Sequence, residues 1–237
     1  MVPPERSADS SDAGHGPRHG GGALTHPALT NPAMPEVERR ADIRLLRFGL
    51  ACSVAASVAL TATALGRREP RLLVGVSGYV AGLLAMFGCS LLYRTATDVR
   101  RRQFLRRVDH AAIFAMIAGS ATPFALAHGG ARGTVLAAAL WAAAGLGMVF
   151  KLRFPIGSVR RSSLLYLLLG WASVVSVGPA VSGATIMLVA AGGAFYSVGV
   201  PFLLLRRIPY RLAIWHAFVL AGAACHYLAI LKGVVLA

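Results

Sequence analysis

The sequence predicts an all-α integral membrane protein, a seven-transmembrane helix bundle with its N-terminus inside and its C-terminus outside. Three observations carry that reading. Of the 237 residues, 56% are hydrophobic and 14% charged, too few polar side chains to clothe a soluble domain of this length. The apolar residues gather into seven long runs. The basic residues, 24 Lys and Arg against 9 Asp and Glu, sit in short clusters between those runs, as the positive-inside rule produces. That placement, rather than a polar basic face, accounts for the charge and excludes nucleic acid as a partner; membrane lipids are the partner the composition implies.

Residues 1–40 come first and are rich in Gly, Pro, Ser and His, as in "DAGHGPRHGGGALTHPALTNPAMP". Such a segment cannot bury enough apolar surface to offset its ordering entropy, so it reads as a disordered cytoplasmic tail. It holds no apolar h-region, and no cleavable signal peptide is expected. His15, His19 and His26 within it offer at most a loose soft-metal site. Residues 41–237 then form one transmembrane domain. A spanning helix needs about 20 mainly apolar residues, and runs near 45–66, 72–93, 110–128, 134–150, 163–180, 184–205 and 212–231 meet or approach that length. The fourth and fifth are short. None shows period-2 alternation, which excludes a transmembrane β-barrel.

Orientation follows from the basic residues. One side receives Arg39, Arg40, Arg44 and Arg47 before the first span, and Arg94, Arg100, Arg101, Arg102, Arg106 and Arg107 between the second and third. The same side receives Lys151, Arg153, Arg160 and Arg161, then Arg206, Arg207 and Arg211. The opposite side holds Arg67, Arg68, Arg71, Arg132 and Lys232. The count is 17 against 5, which sets the richer side inside and requires an odd number of spans. The expected location is the inner or plasma membrane.

Gly78 and Gly82 form a small-xxx-small pair suited to close helix contact. Pro123, Pro179 and Pro201 mark kinks or helix ends. Cys52, Cys89 and Cys225 lie in apolar runs without paired spacing and read as small hydrophobes.

Polar groups inside the apolar runs are few. Beyond residue 70 the only carboxylates are Asp98, in a basic loop, and Asp109, which opens the third span in "VDHAAIFAMIAGSATPF". A carboxylate there needs a cationic or hydrogen-bonding partner. By topology the inside ends of three spans bring Ser90 and Arg94, then Asp109 and His110, then His216 to similar depth. His226 lies ten residues beyond His216, about 15 Å deeper at the helical rise, too far to share a coordination shell; an interhelix hydrogen bond is the expected role.

These residues resemble the hemolysin III family, the bacterial branch of the progestin and adipoQ receptor superfamily. The likeness rests on "SLLYR", "VDHAAIFAMIAGSATPF", "SSLLYLLLGW", "GGAFYSVGVPFLLLRRIPY" and "AIWHAFVLAGAACHYLAI", over roughly residues 45–231. The resemblance implies seven helices and a zinc site near the inside ends of the second, third and seventh. Its ligand pattern is Ser-x3-His, an Asp, and His-x3-His. Residues i and i+4 lie about 40° apart on a helix, so two imidazoles can grip one ion. A third would leave a position for water, which zinc acidifies to a pKa of about 7, with the Asp orienting it. That arrangement suits hydrolysis of lipid amides.

This chain departs from the pattern. Ser-x3-His reads Ser90-x3-Arg94, and His-x3-His reads Leu212-x3-His216. Of the implied ligands only His216 remains, with Asp109 in a supporting place and Ser90, Arg94 and His110 around it. Leu212 has no lone pair, and the guanidinium of Arg94 stays protonated and repels a dication. The expectation is a degenerate zinc site, with Arg94 neutralising Asp109 in place of metal and no cofactor bound. The function that follows is non-catalytic, in membrane homeostasis or lipid sensing. Two alternatives stay open: a zinc-dependent lipid amide hydrolase with an altered ligand set, in which Cys89 or His110 supplies a donor, and the pore-forming cytolysin or channel implied by the family's name. No polar stripe along a span supports the pore.

Overall fold

A computed structural model describes residues 34–127, 130–154, 157–177 and 182–237. They fold into seven α-helices, with no strand among the described residues: α1 (Glu36–Arg67), α2 (Pro70–Thr95), α3 (Val99–Ala127), α4 (Gly130–Arg153), α5 (Val159–Val177), α6 (Gly183–Leu204) and α7 (Arg211–Ile230). A π-helical turn, Leu231–Val235, extends α7. Six helices are long and apolar enough to cross a membrane: α1, α2, α3, α4, α6 and α7 with its extension. Over its described residues α5 falls short, because Arg160 and Arg161 occupy the first turn of a 19-residue helix. The chain is therefore an all-α, multi-pass membrane protein. Pro179 and the histidines of the tail lie outside the described residues.

Two helices begin earlier than apolar content alone indicates. α1 starts at Glu36, inside the stretch expected to be tail, because Glu36 pairs with both Arg39 (2.7 Å) and Arg40 (2.9 Å) across the first turn, where a carboxylate also meets the helix dipole favourably. α3 starts at Val99, eleven residues before its apolar run. The Asp98 carboxylate accepts the Arg101 backbone N–H at 2.7 Å, an N-cap on a polar extension. α6 is capped in the same way: the Ser182 hydroxyl accepts from the Thr185 backbone N–H at 3.3 Å.

α3 is central, packing on α2, α4 and α5, while α1 closes the bundle between α2 and α7. The α2–α3 seam is made of glycines. A Cβ on Gly82 would sit 2.9 Å from the Ala115 carbonyl oxygen, one on Gly119 2.5 Å from that of Gly78, and one on Gly75 2.9 Å from Pro123 Cα. Only hydrogen fits at such approaches. Around the seam Tyr79, Phe87, Phe124, Leu46 and Leu60 are buried, and the Tyr79 hydroxyl donates to the Ala223 carbonyl at 3.3 Å, joining α2 to α7. Large apolar side chains such as Val58, Leu146, Leu168 and Met187 point outward, the surface a lipid environment accommodates. Pro123 lies within α3 and Pro201 within α6.

Candidate functional site

Asp42, Lys151 and His216, buried polar side chains among the described residues, lie at the end of the bundle where α1, α3, α5 and α7 begin and α2, α4 and α6 end. α1 supplies a carboxylate that sequence reasoning passed over. Asp42 is wholly buried, on the α1 face that also buries Leu46, Gly49 and Ser53. Its Oδ1 lies 2.5 Å from His216 Nδ1 on α7, and its Oδ2 lies 3.1 Å from Arg94 Nε on α2. A carboxylate can only accept, so His216 Nδ1 carries the proton in the first contact. The second is an ion pair without hydrogen-bond alignment. The Arg94 guanidinium also stacks 4.8 Å from the Tyr93 ring centroid, a cation–π contact suited to arginine.

The expected Arg94–Asp109 pair is thus corrected. Arg94 turns to Asp42, because Asp42 is fully desolvated and a buried anion demands a cation more strongly than one at the rim. Asp109 is served by others: the Ser90 hydroxyl donates to its Oδ1, and His110 Nδ1 lies 3.8 Å from its Oδ2. His110 Nδ1 itself donates to the Arg106 carbonyl at 2.9 Å, and the Tyr166 hydroxyl of α5 donates to the His110 carbonyl at 2.9 Å. Ser90 and Asp109 therefore form one cluster, and Arg94, Asp42 and His216 another.

A third polar contact joins α4 to α5. Lys151 is buried and its Nζ donates to the Ser162 hydroxyl at 2.5 Å, 5.9 Å above the Tyr166 ring. Loop ends are tied by Arg107 to the Leu152 carbonyl (3.3 Å) and by Arg211 to the Leu203 carbonyl (2.8 Å).

Both carboxylate clusters face a cavity of about 240 Å³ between α2, α3, α5, α6 and α7. Ser90, Arg94, Asp109, His110, Arg211 and His216 line its polar end. Apolar walls follow, from Met86, Ile113, Met116 and Val219. Tyr196 and His226 line it too, and His226 Nε2 lies 3.3 Å from the Val189 carbonyl of α6.

The donor set does not fit zinc. His216 gives Nδ1 to Asp42 and keeps only Nε2 to offer an ion, Ser90 is held by Asp109, and Leu212, apolar and buried, adds no donor. Arg94 brings a fixed positive charge to the spot. Among the described residues no three His, Cys, Asp or Glu side chains gather where one ion could be held, whereas a zinc centre needs three or four such donors.

Similarity to known proteins covers most of the chain. Residues 45–227 match the family model described as haemolysin-III related. A hemolysin-3 homolog from Bacillus subtilis (strain 168) is 35% identical over 163 residues, 67% of this chain and 76% of that protein. The hemolysin-3 of Bacillus cereus is 32% identical over 188 residues, 78% of this chain and 86% of its own.

Proposed function

The chain belongs to the hemolysin III family of multi-pass membrane proteins, and from that premise we propose a non-catalytic, lipid-responsive role in which a buried ion pair occupies the place of the zinc. The observation that carries the reading is the Arg94–Asp42–His216 contact at the polar end of the cavity. A guanidinium there supplies positive charge to Asp42 but has no open coordination position, so it activates no water. What remains is a cavity with a basic mouth and an apolar body, a shape that fits a single-chain amphiphile with an anionic head. The reading sets seven helices across the cell membrane, with α5 as the seventh. The basic excess supports an N-terminus and a cavity mouth at the cytoplasmic face. A zinc hydrolase with an altered ligand set would need further donors beside His216, where Leu212 and Arg94 stand.

Native mass spectrometry of the protein released from its membrane tests this. The expected result is a retained single-chain lipid, lost in Gly170→Leu. Gly170 lines the cavity, and a Cβ added there meets nothing within 4 Å, so a larger side chain has room to start from that wall. Turnover of a lipid amide by the purified protein would overturn the reading.

A further inference from the structure

Away from the ion pair, the cavity touches a second polar feature that neither carboxylate cluster uses. The Tyr196 hydroxyl of α6 is buried and has no hydrogen-bond partner, and the residue lines the cavity together with His226 of α7. The two rings meet edge to face with centroids 5.5 Å apart.

Each ring is seated against a glycine of the opposite helix. A Cβ on Gly222 of α7 would lie 2.8 Å from Tyr196 Cζ, and a Cβ on Gly192 of α6 would lie 2.5 Å from His226 Nε2. Side chains at those two positions would push both rings out of place, so the α6–α7 seam is shaped around this pair of polar groups. His226 donates through Nε2 to the Val189 carbonyl at 3.3 Å, which leaves Nδ1 as the acceptor of a neutral ring. Tyr196 has both a donor and an acceptor to offer and uses neither.

A buried hydroxyl without a partner is uncommon and calls for an explanation. We propose that Tyr196 and His226 form a deep polar subsite that binds a hydroxyl or carbonyl oxygen carried partway along the chain of a single-chain lipid. Along α7, Gly222 lies six residues and His226 ten residues beyond His216, about 9 and 15 Å at the helical rise. With an anionic head among Arg94, Arg106 and Arg211 at the mouth, the middle carbons of an extended fatty acid reach that depth. The ligand class is therefore a mid-chain hydroxy or oxo fatty acid rather than a plain acyl chain. This rests on the lipid-holding reading of the cavity.

The test is equilibrium binding of stearate, 2-hydroxystearate and 12-hydroxystearate to the full chain in nanodiscs, for the wild type and for Tyr196→Phe. One well-made hydrogen bond predicts about tenfold tighter binding of 12-hydroxystearate than of stearate. Tyr196→Phe should erase that preference, and a cooperative thermal unfolding transition shows that the variant folds. Should that variant fail to fold, the wild type alone decides, since 2-hydroxystearate carries its hydroxyl at the mouth and gains nothing from a deep subsite. Equal binding of all three acids, or a preference that survives Tyr196→Phe, overturns the subsite and leaves the lipid-holding reading intact. Binding of none of them overturns both.

Discussion

Asp42 on α1 and His216 on α7 stand 174 residues apart in the chain and 2.5 Å apart in the bundle. With Arg94 of α2 on the other carboxylate oxygen at 3.1 Å, one buried acid holds the first, second and seventh helices at the mouth of the cavity. The His216 side chain and the whole of Asp42 are sheltered from solvent, so Asp42 depends on Arg94 for its charge balance and on His216 for a hydrogen bond.

Removing one member should be costly and removing two less so. Arg94→Ala strands Asp42 and should destabilise the protein by about 3–5 kcal/mol. Adding Asp42→Asn should restore most of that loss, whereas adding Asp109→Asn should restore little. Thermal unfolding of the purified variants reads the three values, and equal damage in both double variants would refute the pairing.

Ser90 and Asp109 form a separate unit, and their substitutions should behave accordingly. Ser90→Ala removes a charge-assisted hydrogen bond and should cost about 1.5–3 kcal/mol. Its effect should add to that of Asp42→Asn within a few tenths of a kcal/mol, as for sites that share no partner. Strong coupling in a double-mutant cycle would show the two clusters to be one.

Ser162→Ala should destabilise by about 1–3 kcal/mol, because it takes the hydroxyl acceptor from the buried Lys151 ammonium. Lys151→Met combined with Ser162→Ala keeps the packing of the stem without the charge and should recover stability. The same unfolding assay reports it.

The α2–α3 seam supplies a paired test of close packing. Gly119→Ala drives a methyl to 2.5 Å from the Gly78 carbonyl oxygen and should cost about 1–3 kcal/mol. Gly88→Ala, on α2, meets nothing within 4 Å and should stabilise by about 0.5–1 kcal/mol through helix propensity. A loss of similar size at both positions would contradict the seam.

Gly82 makes the close contact its spacing suggests, whereas a Cβ on Gly78 would meet nothing closer than 3.6 Å. α5 falls short of a span over its described residues, and the other six spans were legible because a membrane helix declares itself by length and apolarity alone. The polar extensions were not. Residues 36–40 and 99–107 are helical through ion pairs and a cap, which hydropathy does not register. Ser90, Arg94, Asp109 and His216 were legible as polar exceptions within or beside the apolar runs, and all four line the cavity. Their pairing was not, because Asp42 sits among Arg39, Arg40, Arg44 and Arg47 and reads as one more interfacial charge. A signal for it exists: Asp42, Leu46, Gly49 and Ser53 recur at helical spacing on one face, so the acid shares its stripe with small and apolar residues rather than with the arginines. Which cation met it was a matter of helix packing, beyond the reach of residue order.

The central claim, that Arg94 has taken the place of a metal, is tested most directly by the zinc content of the purified, untagged protein. Elemental mass spectrometry should find no stoichiometric zinc in the wild type and about one zinc per chain in the Arg94→His, Leu212→His double variant, whose restored imidazoles join His216 to complete a three-nitrogen set. About one zinc per chain in the wild type, lost in His216→Ala, would contradict the account and make the protein a metal-dependent member of its family.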